Sequence, residues 1–164
     1  MRLHLGCGNQ YMDGYINVDS DDTERVDVIA DVRSLPFIDN SIEGIEAYHL
    51  LEHIPRQQVQ QTLVEWLRVL NPGGKLVLEL PNFDQNCRDF LKAVKNKDWK
   101  TASINMMFIY GGDTPVLQDG HRWGYDAPTL SMGLSRTGFT KVKETEPRNG
   151  HKEQGACFRL EAVK

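Results

Sequence analysis

The chain of 164 residues has few cysteines and lacks any long apolar run. Its three cysteines, Cys7, Cys87 and Cys157, show neither a disulfide framework nor a zinc-binding spacing, so we expect reduced thiols in a cytoplasmic protein. A membrane-spanning helix needs about 20 apolar residues in succession, and no such run occurs. The first residues do not resemble a secretory leader either. We therefore expect no membrane partner.

The chain also lacks an excess of positive charge. Its formal net charge is −4 at pH 7, and a protein that binds bulk nucleic acid needs a basic face. Nucleic acid is therefore not the expected partner. The content of 40% hydrophobic and 26% charged residues is ordinary for a globular protein. The length predicts a single domain over residues 1–164.

Short apolar segments alternate with helical patterns along the chain, which predicts an α/β fold with a mostly parallel sheet. Helices are expected to begin near Pro55, Asp84 and Asp126, the last ending at Gly138. The second helix is expected to bury Cys87, Phe90, Leu91 and Val94. Strands are predicted at residues 3–5, 15–19, 26–30, 42–47 and 75–80, with a closing hairpin of 139–146 and 156–163 around 147–150.

The segments that connect the first three strands are too short to contain full helices. Ten residues separate Gly8 from Asp19, and eleven separate Asp19 from Asp31. A crossover between parallel strands takes about a dozen residues or more and usually includes a helix. We therefore expect the first crossover helices to be reduced or missing. Either a partner subunit or residues 97–125 would then cover one side of the first half of the sheet.

The first strand breaks at once into a glycine loop, and the next two strands each end in an acid. Gly6 and Gly8 form the loop, and Asp19 and Asp31 are the acids. This arrangement is typical of the cofactor crevice of an open α/β sheet. A dinucleotide dehydrogenase needs a third glycine where Tyr11 stands, and its acid comes about 20 residues later, so that function is disfavoured.

With these features the chain resembles the class I S-adenosylmethionine-dependent methyltransferases, and within them a small bacterial and phage-like subgroup of predicted methyltransferases (type 11-like). The resemblance implies a Rossmann-like seven-stranded sheet with a C-terminal antiparallel hairpin, and S-adenosylmethionine as the cofactor. It is carried, in order, by Leu3-His4-Leu5-Gly6-Cys7-Gly8-Asn9, Gly14-Tyr15-Ile16-Asn17-Val18-Asp19, Ala30-Asp31-Val32-Arg33-Ser34-Leu35-Pro36-Phe37, Leu51-Glu52-His53-Ile54, Arg68-Val69-Leu70-Asn71-Pro72-Gly73-Gly74-Lys75 and Pro81-Asn82-Phe83.

The resemblance also implies roles for residues of the glycine loop and the second strand. Gly6 and Gly8, with the backbone of Cys7, would lie beneath the methionine part of the cofactor. Asp19 would accept hydrogen bonds from both ribose hydroxyls, as a bidentate carboxylate can.

Further roles are implied at the ends of the third and fourth strands. Asp31 would accept a hydrogen bond from the adenine amino group, and the Val32 backbone N–H would serve a ring nitrogen. Tyr48 and His49 would border the sulfonium and the methyl group to be transferred.

Histidines are the candidate proton acceptors. His49 would lie near the methyl group, whereas capping or packing is the favoured role for His53. His121 lies in a polar, glycine-rich loop with Asp119, Arg122 and Trp123, and loops of this kind often carry function. We therefore predict His121 and His49 as the catalytic residues.

The sequence does not identify the methyl acceptor. The predicted function is methyl transfer to a small molecule or a protein, and a homodimer would account for the uncovered sheet. The alternative is a degenerate cofactor-binding module or a regulatory subunit without catalysis of its own, which the short chain and the missing helices motivate.

Overall fold

The computed structural model describes residues 1–112, 120–147 and 156–164. One sheet has the strand order β3-β2-β1-β4-β5-β7-β6, in which β7 runs in the direction opposite to that of the other six strands. The predicted α/β fold, a Rossmann-like and mostly parallel sheet with a C-terminal antiparallel pair, is confirmed. Residues 148–150 of the expected turn lie outside the described residues. The strands are β1 (Arg2–Leu5), β2 (Ile16–Asp19), β3 (Val28–Ile29), β4 (Ile42–Tyr48), β5 (Leu70–Pro81), β6 (Thr140–Thr145) and β7 (Cys157–Val163).

The helices are α1 (Arg56–Val69), α2 (Phe83–Lys95), α3 (Trp99–Tyr110) and α4 (Ala127–Thr137), and a 3₁₀ turn (Leu51–His53) precedes α1. The Asp126 side chain caps α4 by accepting the Thr129 N–H, and the helix ends at Gly138, where φ is 116°. Among the described residues, no helix combines the length and the apolar character needed to span a membrane.

The two faces of the sheet differ in chemistry, because successive side chains of a strand point to opposite faces. One face carries Leu3, Leu5 and Val18, which share a buried cluster with side chains of α1 and α4. The opposite face, which we call the polar face, carries buried polar side chains: His4, Asn17, Glu46, Glu79 and Arg159. The helices α1 and α4 therefore pack on the apolar face.

The first crossovers contain no helix, as expected. Residues 6–15 and 20–27 run as turns and loops. Hydrogen bonds of the buried Asn17 hold them: its side-chain oxygen accepts the Met12 N–H at 2.9 Å, and its own N–H donates to Asp27 at 2.8 Å. These bonds from Asn17 lower the pKa of Asp27. Polar contacts with β2 thus order the segments in which related folds have helices.

One expectation about the middle of the chain is wrong, and one helix was missed. Leu91 and Val94 do not point inward but are 66% and 38% exposed, because α2 packs against α3 and buries Asn86 and Ala93 instead. The helix α3 was not predicted. In the described part of 97–125, α3 packs on α2, and residues 120–125 contact the 3₁₀ turn and the start of α2.

Candidate active site

A tight backbone cradle follows β1. Gly6 and Gly8 have φ values of 65° and 49°, the left-handed region that glycine adopts without strain. The Gly8 N–H donates to Asp19 Oδ2 at 2.7 Å, which joins the glycine loop to the end of β2. A Cβ atom at Gly6 would lie 2.7 Å from Cδ1 of Leu50, so no larger residue fits there without moving Leu50. The loop therefore needs glycine for space as well as conformation.

Most of the predicted cofactor-binding residues surround one cavity of about 640 Å³ at the carboxyl ends of β1–β4. An adjoining cavity of about 400 Å³ shares Gly6, Gly8 and His49 with the first and adds Cys7 and Tyr48. Both volumes fall within the usual range of small-molecule sites. The predicted residues that line the larger cavity are Gly6, Gly8, Asp19, Asp31, Val32 and His49, and its other walls include Leu50, His53 and Arg122.

Asp31 is held by a neighbouring cation. The Arg33 guanidinium donates to both Asp31 oxygens, with Nε 2.8 Å from Oδ1 and an Nη atom 2.6 Å from Oδ2. This bidentate contact lowers the pKa of the Asp31 carboxyl. Both side chains are more than 40% exposed, so a ligand would meet an Asp31 carboxylate that is already paired.

Side chains of α1 position the segment after β3. Trp66 is fully buried, and its Nε1–H donates to the Val32 carbonyl oxygen at 2.8 Å. Glu65 accepts the Leu35 N–H at 2.8 Å and also pairs with Arg68. This segment therefore depends on α1 for its position at the cavity.

Tyr48 belongs to a network on the polar face. The Tyr48 hydroxyl donates to Oε2 of Glu46, and the Tyr15 hydroxyl donates to Oε1 of the same carboxylate at 2.5 Å. The Tyr48 ring also meets the His4 ring edge-on. Tyr48 thus borders the smaller cavity and not the larger one.

His49 is held between an acid and a thiol. Its backbone has a φ of 49°, a strained value for a residue other than glycine. Its Nδ1 lies 3.3 Å from Oε1 of Glu52, and its Nε2 lies 3.8 Å from Sγ of Cys157. Burial lowers the pKa of His49, but the contacts with Cys157 and Glu52 outweigh burial and raise it to about 10. The imidazole is therefore protonated at neutral pH.

The loop that contains His121 is tied to the 3₁₀ turn by its backbone. The N–H groups of Arg122 and Trp123 both donate to the Glu52 carbonyl oxygen, at 2.7 and 3.3 Å. The Arg56 guanidinium lies 4.4 Å from the centre of the Trp123 ring. The loop therefore returns to the end of β4, beside the cavity. Residues 113–119 of this region, including the predicted Asp119, lie outside the described residues.

His121 packs beside His53 and does not line either cavity itself. The centres of the two rings are 5.0 Å apart, in an edge-to-face arrangement. Nδ1 of His121 lies 3.1 Å from the Phe108 carbonyl oxygen, so it carries the proton and donates it. Burial lowers the pKa of His121. The ring is therefore neutral at pH 7, with a lone pair on Nε2.

The sequence analysis missed two residues of this cluster, Glu52 and Tyr125. The Glu52 side chain is almost fully buried. The hydroxyl of Tyr125 is also buried, and burial together with the charge of Glu52 raises its pKa to about 12. A signal for Glu52 existed, since it follows the fourth strand directly beside His53. Tyr125 has no such signal, because its position depends on the path of the loop.

Residues 3–78 match the model of a protein family described as a methyltransferase domain. The resemblance to the class I S-adenosylmethionine-dependent methyltransferases is confirmed, and with it S-adenosylmethionine as the cofactor. The matched residues include the glycine loop, both acids and the 3₁₀ turn. No curated protein matches the chain in sequence at a significant level.

Solved structures of methyltransferases share the fold over 99% of this chain. A methyltransferase from Methanosarcina mazei is 18% identical, with 91% of its length covered and a TM-score of 0.66. One from Archaeoglobus fulgidus is 16% identical, with 85% covered and a TM-score of 0.63. The 1,6-didemethyltoxoflavin-N1-methyltransferase of Burkholderia thailandensis, solved with S-adenosylhomocysteine, is 17% identical, with 70% covered and a TM-score of 0.64. At these identities the likeness concerns the fold alone.

Proposed function

We propose that the protein transfers a methyl group from S-adenosylmethionine to a small-molecule or protein acceptor. The observation that carries the proposal is the cavity that unites Gly6, Gly8, Asp19 and Asp31 at the strand ends, directly beside His53 and Arg122. The cofactor supplies a methyl group already activated on a sulfonium. The protein then has to hold donor and acceptor in line and, for a hydroxyl acceptor, to remove a proton.

The part of the cavity formed by the glycine loop, Asp19 and Asp31, which we call the cofactor end, fits the expected ligand. Asp19 Oδ2 accepts one hydrogen bond from Gly8, and Oδ1 accepts the Asp21 N–H at 3.2 Å and the Ser20 hydroxyl at 3.5 Å. A carboxylate offers about four lone-pair sites, so the Asp19 side chain retains capacity for one ribose hydroxyl, and rotation of the Ser20 hydroxyl frees a site for the second. Gly8 adds open space, since a Cβ atom there would meet no atom of residues 1–112, 120–147 or 156–164 within 4 Å. These features support the predicted roles of Gly6, Cys7, Gly8 and Asp19.

The 3₁₀ turn, His49 and the loop at 120–125 form what we call the acceptor end. There we assign the proton-accepting role to His121 in preference to His49. The contacts with Glu52 and Cys157 keep His49 protonated, so it can donate a hydrogen bond but cannot take a proton. His121 is neutral, and its Nδ1–H is occupied by the Phe108 carbonyl oxygen, which leaves Nε2 as the acceptor atom. The His53 ring, whose centre is 5.0 Å from that of His121, lines the cavity.

A second candidate function is a cofactor-binding module or regulatory subunit that needs a partner for catalysis. The observation that favours it is that the first two crossovers, residues 6–15 and 20–27, are described in full and contain no helix. A partner subunit or a second copy of the chain that covered these segments would complete the fold. This alternative predicts cofactor binding without turnover by the isolated chain.

Calorimetry with S-adenosylhomocysteine tests the cofactor site. Asp19→Ala removes two expected charge-assisted hydrogen bonds of about 1.5–3 kcal/mol each, so affinity should fall by about a hundredfold or more. Asp22→Ala is the matched control, since Asp22 is exposed and does not line the cavity. Equal binding by Asp19→Ala and the wild type would contradict the ribose assignment.

A screen of acceptors for S-adenosylhomocysteine formation tests catalysis. Turnover with any acceptor by the isolated chain supports the methyltransferase and contradicts the regulatory alternative. Tight cofactor binding without turnover across small molecules and proteins supports that alternative.

A further inference from the structure

Three potential metal ligands meet between the 3₁₀ turn and the loop at 120–125. Glu52, His53 and His121 each offer one ligand atom, and these atoms all lie within 4.8 Å of one another. Glu52 and His53 are adjacent on the turn, and His121 belongs to the loop that follows α3 in the chain. Two imidazoles and one carboxylate around a common point are a frequent donor set for divalent transition metals.

The cluster has polar atoms without partners. Oε1 of the buried Glu52 side chain has only His49 Nδ1 nearby among the described residues, at 3.3 Å, and Oε2 accepts no hydrogen bond from them. Nδ1 of His53 and the hydroxyl of Tyr125 are likewise buried without a partner there. Buried polar atoms are normally satisfied, and leaving one unsatisfied costs about 1–3 kcal/mol. Several in one place indicate a ligand.

The surroundings orient the ligands as in known metal sites. A metal-binding histidine usually donates its other ring N–H to a carbonyl or carboxylate, which fixes the tautomer. His121 does so through Nδ1 and the Phe108 carbonyl oxygen, which leaves Nε2 for a metal. On the other side, the N–H groups of Arg122 and Trp123 hold the Glu52 backbone. Both sides of the cluster are therefore fixed by hydrogen bonds to the backbone.

We propose that Glu52, His53 and His121 bind one divalent first-row transition ion beside the acceptor end of the cavity. Imidazole ligands favour zinc, cobalt or iron over magnesium, which prefers an all-oxygen site. Three protein ligands leave a coordination position open. His53 lines the cavity, so this position can face a substrate.

The assignment of the ion to catalysis rests on the proposed function. In a methyltransferase, an acceptor hydroxyl on the open position would have a lowered pKa and would release its proton to solvent. His121 would then act as a ligand and not as the direct proton acceptor. Metal binding itself does not depend on the proposed function.

Titration of the untagged, metal-stripped full chain with Co²⁺ and Zn²⁺ tests the site. We expect one ion per chain, a visible Co²⁺ spectrum typical of four or five ligands, and Mg²⁺ affinity weaker by about a hundredfold or more. Glu52→Gln, His53→Gln and His121→Gln should each weaken Co²⁺ and Zn²⁺ binding by about a hundredfold. Glu144→Gln, an exposed residue of β6, is the matched control and should leave binding unchanged.

Binding of S-adenosylhomocysteine and the thermal unfolding curve, measured in the same samples, show whether each variant is folded. If a variant does not fold, X-ray absorption at the zinc edge of the wild type decides, since the site requires two imidazole ligands. Absence of Co²⁺ and Zn²⁺ binding, ligation without imidazole, or folded variants that bind as tightly as the wild type would overturn the site. Turnover by metal-free protein would overturn its catalytic use while leaving the proposed methyltransferase function intact. Two-histidine metal binding without cofactor binding would support the site and contradict that function.

Discussion

The cofactor end and the acceptor end of the cavity are built in different ways. At the cofactor end, the contacts join neighbouring strand ends: Gly8 bonds to Asp19, which is 11 positions away. At the acceptor end, His49 contacts Cys157, which is 108 positions away, and Glu52 is joined to the loop at 120–125. The cofactor end is therefore local, whereas the acceptor end exists only after distant segments have packed. The cofactor end should therefore tolerate substitutions elsewhere in the fold better than the acceptor end.

The support of the two ends differs as well. No helix lies between β1 and β3, and the segment after β3 is held by side chains of α1, chiefly Trp66 and Glu65. The acceptor end is held by backbone hydrogen bonds to the carbonyl oxygens of Glu52 and Tyr110, and by the bond from His121 Nδ1 to the Phe108 carbonyl oxygen. Substitutions in α1 should therefore act on the cofactor end, and substitutions in the loop at 120–125 on the acceptor end.

The largest expected effect separates the two ends directly. His121→Ala should lower turnover by about a hundredfold or more, the usual scale for loss of a general base, whether His121 takes a proton or binds a metal. Affinity for S-adenosylhomocysteine should change by less than about threefold, a small energy, since His121 does not line the cavity. Kinetics with an identified acceptor and calorimetry provide the two measurements.

Trp123→Phe is the control for the loop, because it keeps an aromatic ring beside Arg56 and leaves the backbone bonds to Glu52 in place. Full activity of His121→Ala would contradict a catalytic role for His121. Loss of cofactor binding would show that the loop belongs to the cofactor end and that the two ends are not independent.

The difference between the ends also explains what could be predicted from the sequence. Gly6, Gly8, Asp19 and Asp31 were predicted to meet because the carboxyl ends of parallel strands share one edge of a sheet, and all four line one cavity. Tyr125 could not be predicted, since no periodicity fixes the path of a loop that returns across the molecule.

The helical region shows the same limit. The helix α1 follows from its apolar spacing and its buried face. For α2 the spacing was present, but Leu91 and Val94 are exposed because α2 packs on α3. Periodicity identifies an apolar stripe but not the element that covers it.

A smaller effect should come from the glycine loop. Gly6→Ala adds the cost of a left-handed residue, about 1–2 kcal/mol, and brings a Cβ within 2.7 Å of Leu50. Gly14→Ala is the control for the backbone cost alone, because φ is also positive there, at 80°, and an added Cβ would meet no atom of the described residues within 4 Å. We expect Gly6→Ala alone to weaken S-adenosylhomocysteine binding, by about tenfold, since Leu50 lines the cavity.

Adding Leu50→Ala should restore part of the affinity of Gly6→Ala. No recovery in the double variant would show that the strain of the loop, and not the position of Leu50, causes the loss.

The support from α1 can be tested through pH. The hydrogen bond from Arg68 lowers the pKa of Glu65, and the Leu35 N–H adds to the effect. Because the pKa of Glu65 is lower in the folded state than its ordinary value near 4.3, the ionised carboxylate stabilises the fold fully above that pH. This stabilisation is lost as the pH falls through the lowered pKa. Glu65→Gln should therefore reduce the free energy of unfolding by about 1–2 kcal/mol at pH 7 and by less near pH 3. Asp39→Asn, whose carboxylate also pairs with Arg68 but is 67% exposed, is the control and should cost little. Urea unfolding at both pH values measures the difference.

The smallest expected effect concerns Asp31, where the cofactor end depends on an exposed pair. Asp31→Asn keeps the shape and one acceptor oxygen but loses the charge, and Arg33 loses its bidentate partner. Because both side chains are more than 40% exposed, the free energy of unfolding should change little. Affinity for S-adenosylhomocysteine should fall a few-fold, by less than for Asp19→Ala, since the Asp31 carboxylate already shares its lone pairs with Arg33.

Arg33→Gln tests this competition: removal of the cation frees both Asp31 oxygens, so affinity should stay equal or rise slightly. A large drop in thermal stability for Asp31→Asn without cofactor would instead show that Asp31 acts as a structural cap, through the Asp31 oxygen that accepts the Arg33 N–H at 2.9 Å.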